Sequence, residues 1–159
     1  MRKRASPILA IIIFLLMPLT AHAEIRVPQE LIDVAEEIAP MYGVCPELIE
    51  SIVIEECSCK YTATNGNCIG AMQINQACHK KRMARLGVTD LKDLRSNVMV
   101  GTDYLAEILE SHEDIGTALL IYNGCSTAKI SKYEDTGSMT VYAKRILERS
   151  EQLERQHNK

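Results

Sequence analysis

The sequence predicts a mostly α-helical single domain with one small irregular or β-like excursion. Three observations lead there. Apolar residues recur at helical spacing in most segments, Gly or Pro punctuates several of the joins between them, and one longer stretch, Lys60 to Gln73, is polar and turn-rich. Six cysteines add the expectation that the domain is disulfide-braced.

The first residues stand apart from the fold. Arg2, Lys3 and Arg4 precede an apolar run from Ile8 to Leu19, and Thr20-Ala21-His22-Ala23 places small residues before Glu24. That is the layout of a cleavable secretory signal over residues 1–23. The run is short of the ~20 apolar residues of a spanning helix, and the residue directly after the cut is Glu24, not a cysteine. The expectation is a secreted, periplasmic or cell-wall protein with no stable membrane anchor after cleavage.

The domain then occupies residues 24–159. Pro28 opens a helix through about Met41, with Leu31, Ile32, Ala35 and Ile38 on one face, and Gly43 closes it. Pro46 suits the first turn of a second helix through about Glu56. Lys60 to Gln73 holds Asn65-Gly66 and Gly70 and reads as a hairpin or irregular loop. Helical pattern resumes from Gln76 to Leu86, before Gly87, and Thr89-Asp90 can cap the next short element. Leu94 to Leu109 is a buried helix, Ile115 to Tyr122 a short apolar one, and Glu134 to Ser138 a polar break. A final amphipathic helix covers about 139–153.

Composition excludes some functions. Without the signal the chain holds 15 Lys and Arg against 21 Asp and Glu, a formal charge of −6. An acidic domain is a poor partner for nucleic acid, whose phosphates want a basic face; the same balance weighs against tight binding to anionic wall polymers. With no Trp, and Phe14 inside the signal, Tyr is the only aromatic side chain of the mature chain, so a lectin-like module is disfavoured. In an oxidising space Cys45, Cys57, Cys59, Cys68, Cys78 and Cys125 are expected in disulfides, whose pairing the sequence leaves open. Cys57-x-Cys59 lacks a second paired cluster, and His79, His112 and His157 show no i,i+4 pairing, so no metal is expected.

One carboxylate is out of place. At about 100° per residue, Leu48, Ile49, Ile52 and Val53 share a face of the second helix, and Glu56 projects within about 10° of its centre. Glu55 falls about 90° away at the edge, and Glu47 and Glu50 point elsewhere. Burial would raise the Glu56 pKa and make it a proton donor near neutrality. From helix geometry alone, an ordinary end-of-helix carboxylate fits equally well.

The surrounding residues resemble a known family. Leu48 to Cys57, then Asn65-Gly-Asn-Cys-Ile-Gly70-Ala-Met-Gln-Ile-Asn75, are similar to the soluble lytic transglycosylase (SLT) domain, related to goose-type lysozyme. The resemblance continues through Leu86-Gly87-Val88-x-Asp90-Leu91, Asn97-Val98-x-x-Gly101-x-x-Tyr104-Leu105, Ala118-Leu-Leu-Ile-Tyr122-Asn123-Gly124, and Tyr142 in the last helix. It implies an α+β lysozyme-like fold with a core at about 46–126. It also implies that Glu56 is the catalytic acid/base. Met72, Gln73, Tyr122 and Asn123 would bind substrate, although Met72 would serve equally as core filler and Tyr122 as a packed aromatic. Three residues depart from the pattern: Cys57 replaces a Ser, Ala71 a Leu, and Cys125 a Gly. A disulfide from Cys57 or Cys59 to another segment, bracing the catalytic loop, is expected from these changes.

The implied activity is cleavage of the β-1,4 MurNAc-GlcNAc linkage of peptidoglycan glycan strands, with 1,6-anhydromuramyl products and no cofactor. A hydrolytic muramidase would want a second carboxylate, with Asp90, Asp93 and Asp103 as candidates. A non-catalytic binding or scaffold domain of lysozyme-like shape is the rival from another class.

Overall fold

A computed structural model describes residues 24–157. The expected signal, residues 1–23, lies outside the described residues. The described residues form seven helices and a three-stranded sheet: α1 Gln29–Tyr42, α2 Pro46–Cys57, β1 Thr64–Asn65, β2 Cys68–Ile69, β3 Ile74–Asn75, α3 Gln76–Leu86, α4 Leu94–Ser111, α5 Ile115–Tyr122, α6 Thr127–Thr136 and α7 Val141–His157. This is the mostly α, lysozyme-like architecture expected.

The central element is α2. Pro46 occupies its first turn, and Ser58 ends it in the left-handed region at φ 48°. Seven of its twelve residues are buried, too many for one face. The reason is that α1 covers one side and α7 the other. Ile49, Ile52 and Val53 have no exposed surface, and neither does Glu50. The helix-wheel expectation that Glu50 points away from the core is thus corrected: α7 buries the side that a single stripe would leave to solvent. Across this contact the buried Ser51 hydroxyl donates to the Ile146 carbonyl at 2.7 Å.

The excursion between α2 and α3 is a small antiparallel sheet of order β1-β2-β3, with Thr64 opposite Ile69 and Ile69 opposite Ile74. Gly66, at φ 59°, supplies the left-handed turn between β1 and β2. The sheet is too short to stand alone, and Asn97 of α4 ties it to the helices. Its wholly buried side chain accepts from Met72 N–H at 2.7 Å and donates to the carbonyls of Ile69 at 2.8 Å and Leu91 at 2.7 Å. Gly70, at φ 84°, lies against this amide, and any Cβ there would overlap it and the Leu91 carbonyl.

Helix starts follow local chemistry. Asn75, Asp93 and Asp114 cap α3, α4 and α5 by accepting from main-chain N–H groups of the first turn. Two expectations need correction. The polar break at Glu134 to Ser138 is largely helix: α6 runs to Thr136 and stops at Gly137. Its only buried residue is Tyr133, so it carries no apolar stripe to read. The last helix continues beyond Leu153, to His157. Finally, all six cysteines are free thiols, and the expected disulfide bracing is not seen. Cys57 instead turns back along its own helix and donates to the Val53 carbonyl at 3.3 Å.

Candidate active site

Glu56 stands in the last turn of α2, half-buried, immediately before Ser58 and Cys59 turn the chain through two successive left-handed residues. Burial pushes its carboxyl above the ordinary carboxylate value, the neighbouring negative charge of Glu55 adds to the rise, and a hydrogen bond from Tyr142 opposes it. That bond runs from Tyr142 Oη to Glu56 Oε1 at 2.6 Å. Tyr142 lies in the first turn of α7. Its own phenol is pushed far above its usual range, first by burial and then by the Glu56 charge. It therefore stays protonated and remains a donor to the carboxylate.

Glu55 is held apart from this pair. Arg149 donates to its Oε2 at 2.9 Å and Arg145 to its Oε1 at 3.4 Å. Arg149 also donates to the Ser51 carbonyl at 2.9 Å, so one guanidinium spans α2 and α7.

Opposite these lies the loop after β2. The Met72 side chain has no exposed surface and packs on Gly101 of α4, where an added Cβ would come 2.5 Å from Met72 Sδ. Met72 offers the site its main chain: its carbonyl accepts from Tyr122 Oη at 3.0 Å. Tyr122 ends α5, and its phenol is pushed well above the ordinary value by burial, with Glu56 the largest charged contributor. The Glu56 charge is thus felt at the Tyr122 phenol. Gln73 adopts a left-handed backbone at φ 49°, unusual for a residue with a side chain. Its Nε2 holds that turn by donating to the Gly70 carbonyl at 2.9 Å and the Ala63 carbonyl at 3.3 Å. Asn123 follows Tyr122 as the exposed cap residue of α5.

Beyond Tyr122 the rings continue. Tyr104 lies 5.5 Å from Tyr122 between centroids, and His79 of α3 lies 4.6 Å from Tyr104. Arg82 sits over the Tyr104 ring at 5.2 Å.

The carboxylates considered as partners for Glu56 have other duties. Asp93 caps α4, accepting from Ser96 N–H at 2.8 Å, and Asp90 accepts from Lys92 N–H at 2.8 Å. Asp103 is buried and ion-paired with Arg82 and Arg85. Among the described residues no three His, Cys, Asp or Glu side chains converge as metal ligands would, and no helix is long and apolar enough to cross a membrane.

The sequence model of a family described as the transglycosylase SLT domain matches residues 33–142. The chain belongs to that family. The matched stretch of the SLT domain runs from α1 to the second residue of α7, so it takes in Glu56, the Met72–Gln73 loop, Tyr122, Asn123 and Tyr142. The chain is also similar to a protein of Enterobacteria phage PRD1 named "Transglycosylase", with 36% identity over 84 residues. That alignment covers 52% of this chain and 30% of the phage protein, so the chain spans under a third of that relative.

Within this SLT domain, Glu56 lies in the last turn of α2, Gln73 in the loop between β2 and β3, and Tyr122 at the end of α5 with its hydroxyl on the Met72 carbonyl. The Tyr142 contact is not legible in sequence, because Tyr142 is 86 residues from Glu56 in the chain. Arg149 and Arg145 escape sequence reasoning as well; Glu55 at the edge of the stripe is the available signal.

Proposed function

We propose that this SLT domain cleaves the β-1,4 MurNAc-GlcNAc linkage of peptidoglycan with Glu56 as both acid and base. The observation that carries the reading is the half-buried Glu56 carboxyl, raised in pKa and held at one oxygen by Tyr142. A carboxyl whose pKa is raised by burial keeps its proton to higher pH than an ordinary one and can donate, then accept.

In the first step the Glu56 proton passes to the glycosidic oxygen, the C1–O bond of the muramyl sugar breaks, and the GlcNAc side leaves as an alcohol. The substrate's own N-acetyl oxygen stabilises the positive C1. Glu56, now a carboxylate, takes the proton of the muramyl 6-hydroxyl, and O6 bonds to C1 to close the 1,6-anhydro ring. Glu56 ends as it began, no water is consumed, and no cofactor enters. One carboxylate suffices, which agrees with Asp90, Asp93 and Asp103 serving as caps or ion-pair partners and with Glu55 being held by Arg149.

Gln73, Tyr122 and Asn123 form the substrate-facing wall in this reading, and Met72 supports it from behind through its carbonyl. Action on peptidoglycan places the working protein outside the cytoplasmic membrane, in the periplasm or wall. The test is mass spectrometry of products from purified peptidoglycan. Anhydromuramyl ends with wild type and none with Glu56→Gln are expected; reducing muramyl ends would instead establish hydrolysis, and no cleavage a scaffold.

A further inference from the structure

One face of α7 grips the last two turns of α2. Tyr142, Ile146 and Arg149 share that face, spaced by four and then three residues, and each reaches across. Tyr142 donates to Glu56, the Ile146 carbonyl accepts from Ser51, and Arg149 takes two partners at once. Its Nη1 donates to the Ser51 carbonyl at 2.9 Å, and its Nη2 to Glu55 Oε2 at 2.9 Å. The Arg149 and Glu55 side chains are 20% and 16% exposed, so water screens this pair less than an open surface pair. Arg145, 62% exposed, adds a 3.4 Å contact to Glu55 Oε1.

Two consequences for the acid follow. The Ser51 carbonyl and the Glu55 side chain lie one helical turn apart and are held by one planar group. The last turn of α2, which carries Glu56, therefore cannot unwind without breaking a charged bond. That turn needs a hold, because the chain leaves it through two left-handed residues, Ser58 and Cys59. Charge is the second consequence. Glu55 directly precedes Glu56, and a bare negative charge there disfavours an ionised Glu56. A cation 2.9 Å from Glu55 offsets it. The other titratable groups facing Glu56 are neutral. Burial keeps Tyr142 of α7 and Tyr122 of α5 as phenols, and it pushes the Cys57 thiol of α2 up to about 11. We propose that Arg149 is a positioning residue for Glu56: through the Ser51 carbonyl and Glu55 it fixes the turn that bears the acid and cancels the charge beside it. This rests on the reading of Glu56 as acid and base, and it gives Glu55 a part in the site other than that of a second carboxylate.

The test is a charge cycle read by the pH dependence of kcat/KM on purified peptidoglycan. Arg149→Gln leaves Glu55 without its nearer cation, so the alkaline limb should move to higher pH, on the order of half a pH unit. Glu55→Gln should move it to lower pH by a similar amount, and it keeps the test open should Arg149→Gln fold poorly. With both substitutions the limb should return to the wild-type position, although the same bonds are gone. Arg149→Lys keeps the charge without the fork, so its limb should stay while the maximal rate falls about threefold to tenfold. An arginine that only supports the fold would change rate and Tm and leave every limb in place. That result, or a double variant displaced as far as Arg149→Gln, would overturn the proposal. Carbon-13 NMR titration of the glutamate carboxyls reads the same shifts without turnover, with Glu56 assigned by the signal lost in Glu56→Gln. Should wild type cut no glycan, or Glu56→Gln cut as well as wild type, the catalytic reading falls, and the NMR shifts alone decide for or against Arg149.

Discussion

Tyr142 Oη donates to Glu56 Oε1 at 2.6 Å, joining the first turn of the last helix to the last turn of the second. The bond stabilises the ionised carboxylate, so it opposes the rise in pKa that burial and Glu55 impose. In the proposed mechanism this leaves Oε2 as the oxygen that carries the transferred proton.

Tyr142→Phe should therefore move the Glu56 pKa further up. The first chemical step needs the protonated acid, so kcat/KM falls as pH rises through that pKa. In the variant this alkaline limb should shift to higher pH, while the maximal rate drops about tenfold to a hundredfold from lost positioning. A pH–rate profile on peptidoglycan checks both, and an unmoved limb would separate Tyr142 from the titration.

Tyr122→Phe removes the donor that reaches the Met72 carbonyl at 3.0 Å. The lost bond should destabilise the fold by about 1 kcal/mol, seen as a small fall in Tm. Activity should fall more than stability if the ring and its hydroxyl fix the wall of the cleft. Steady-state rates set beside thermal melts would show whether the two losses diverge.

Asn97→Ala strips three partners at once, the Met72 N–H and the Ile69 and Leu91 carbonyls, all in the interior. Buried groups left unsatisfied cost about 1–3 kcal/mol each, so a loss of roughly 3–5 kcal/mol in urea unfolding is expected once partial relaxation is allowed for. A loss below about 1 kcal/mol would contradict the role given to this amide.

Glu50 gives the protein a pH-dependent stability. Its side chain has no exposed surface, neither oxygen has a hydrogen-bond partner, and burial pushes its pKa from 4.5 up to about 7. His157 of α7 lowers that value, while Glu47 of α2 and Glu36 of α1 raise it. A carboxyl whose folded pKa lies above its unfolded one carries no ionisation penalty while protonated and destabilises further once ionised. Stability should fall between about pH 4.5 and pH 7, reaching a penalty on the order of 3 kcal/mol above that window. Glu50→Gln, which cannot ionise, should flatten this slope and raise the urea midpoint at pH 8. Parallel slopes in the two proteins would remove Glu50 as the cause.

The residues legible in sequence are those whose signals are local. The ridge Leu48, Ile49, Ile52 and Val53 announces α2 and sets Glu56 on its buried side, and Asn65-Gly66 announces the turn of the sheet. What escapes depends on distant packing. Glu50 reads as solvent-facing until α7 covers it, and α6 has too few buried side chains to show a period. Met72 reads equally as a cleft residue or as core filler, and it is Gly101, distant in the chain, whose hollow takes its side chain into the core. The cysteines suggest bridges by their number, whereas the fold spends Cys57 on a main-chain carbonyl and leaves all six as thiols.

Because α7 brings Tyr142 to Glu56 and Arg149 to Glu55, the reactive corner is built from both halves of the polypeptide. A ribosome making this protein has already released the acid long before its escort emerges. Under the proposed mechanism the nascent chain is a blunt tool until the final segment docks, and a premature stop ahead of Val141 would leave it blunt for good.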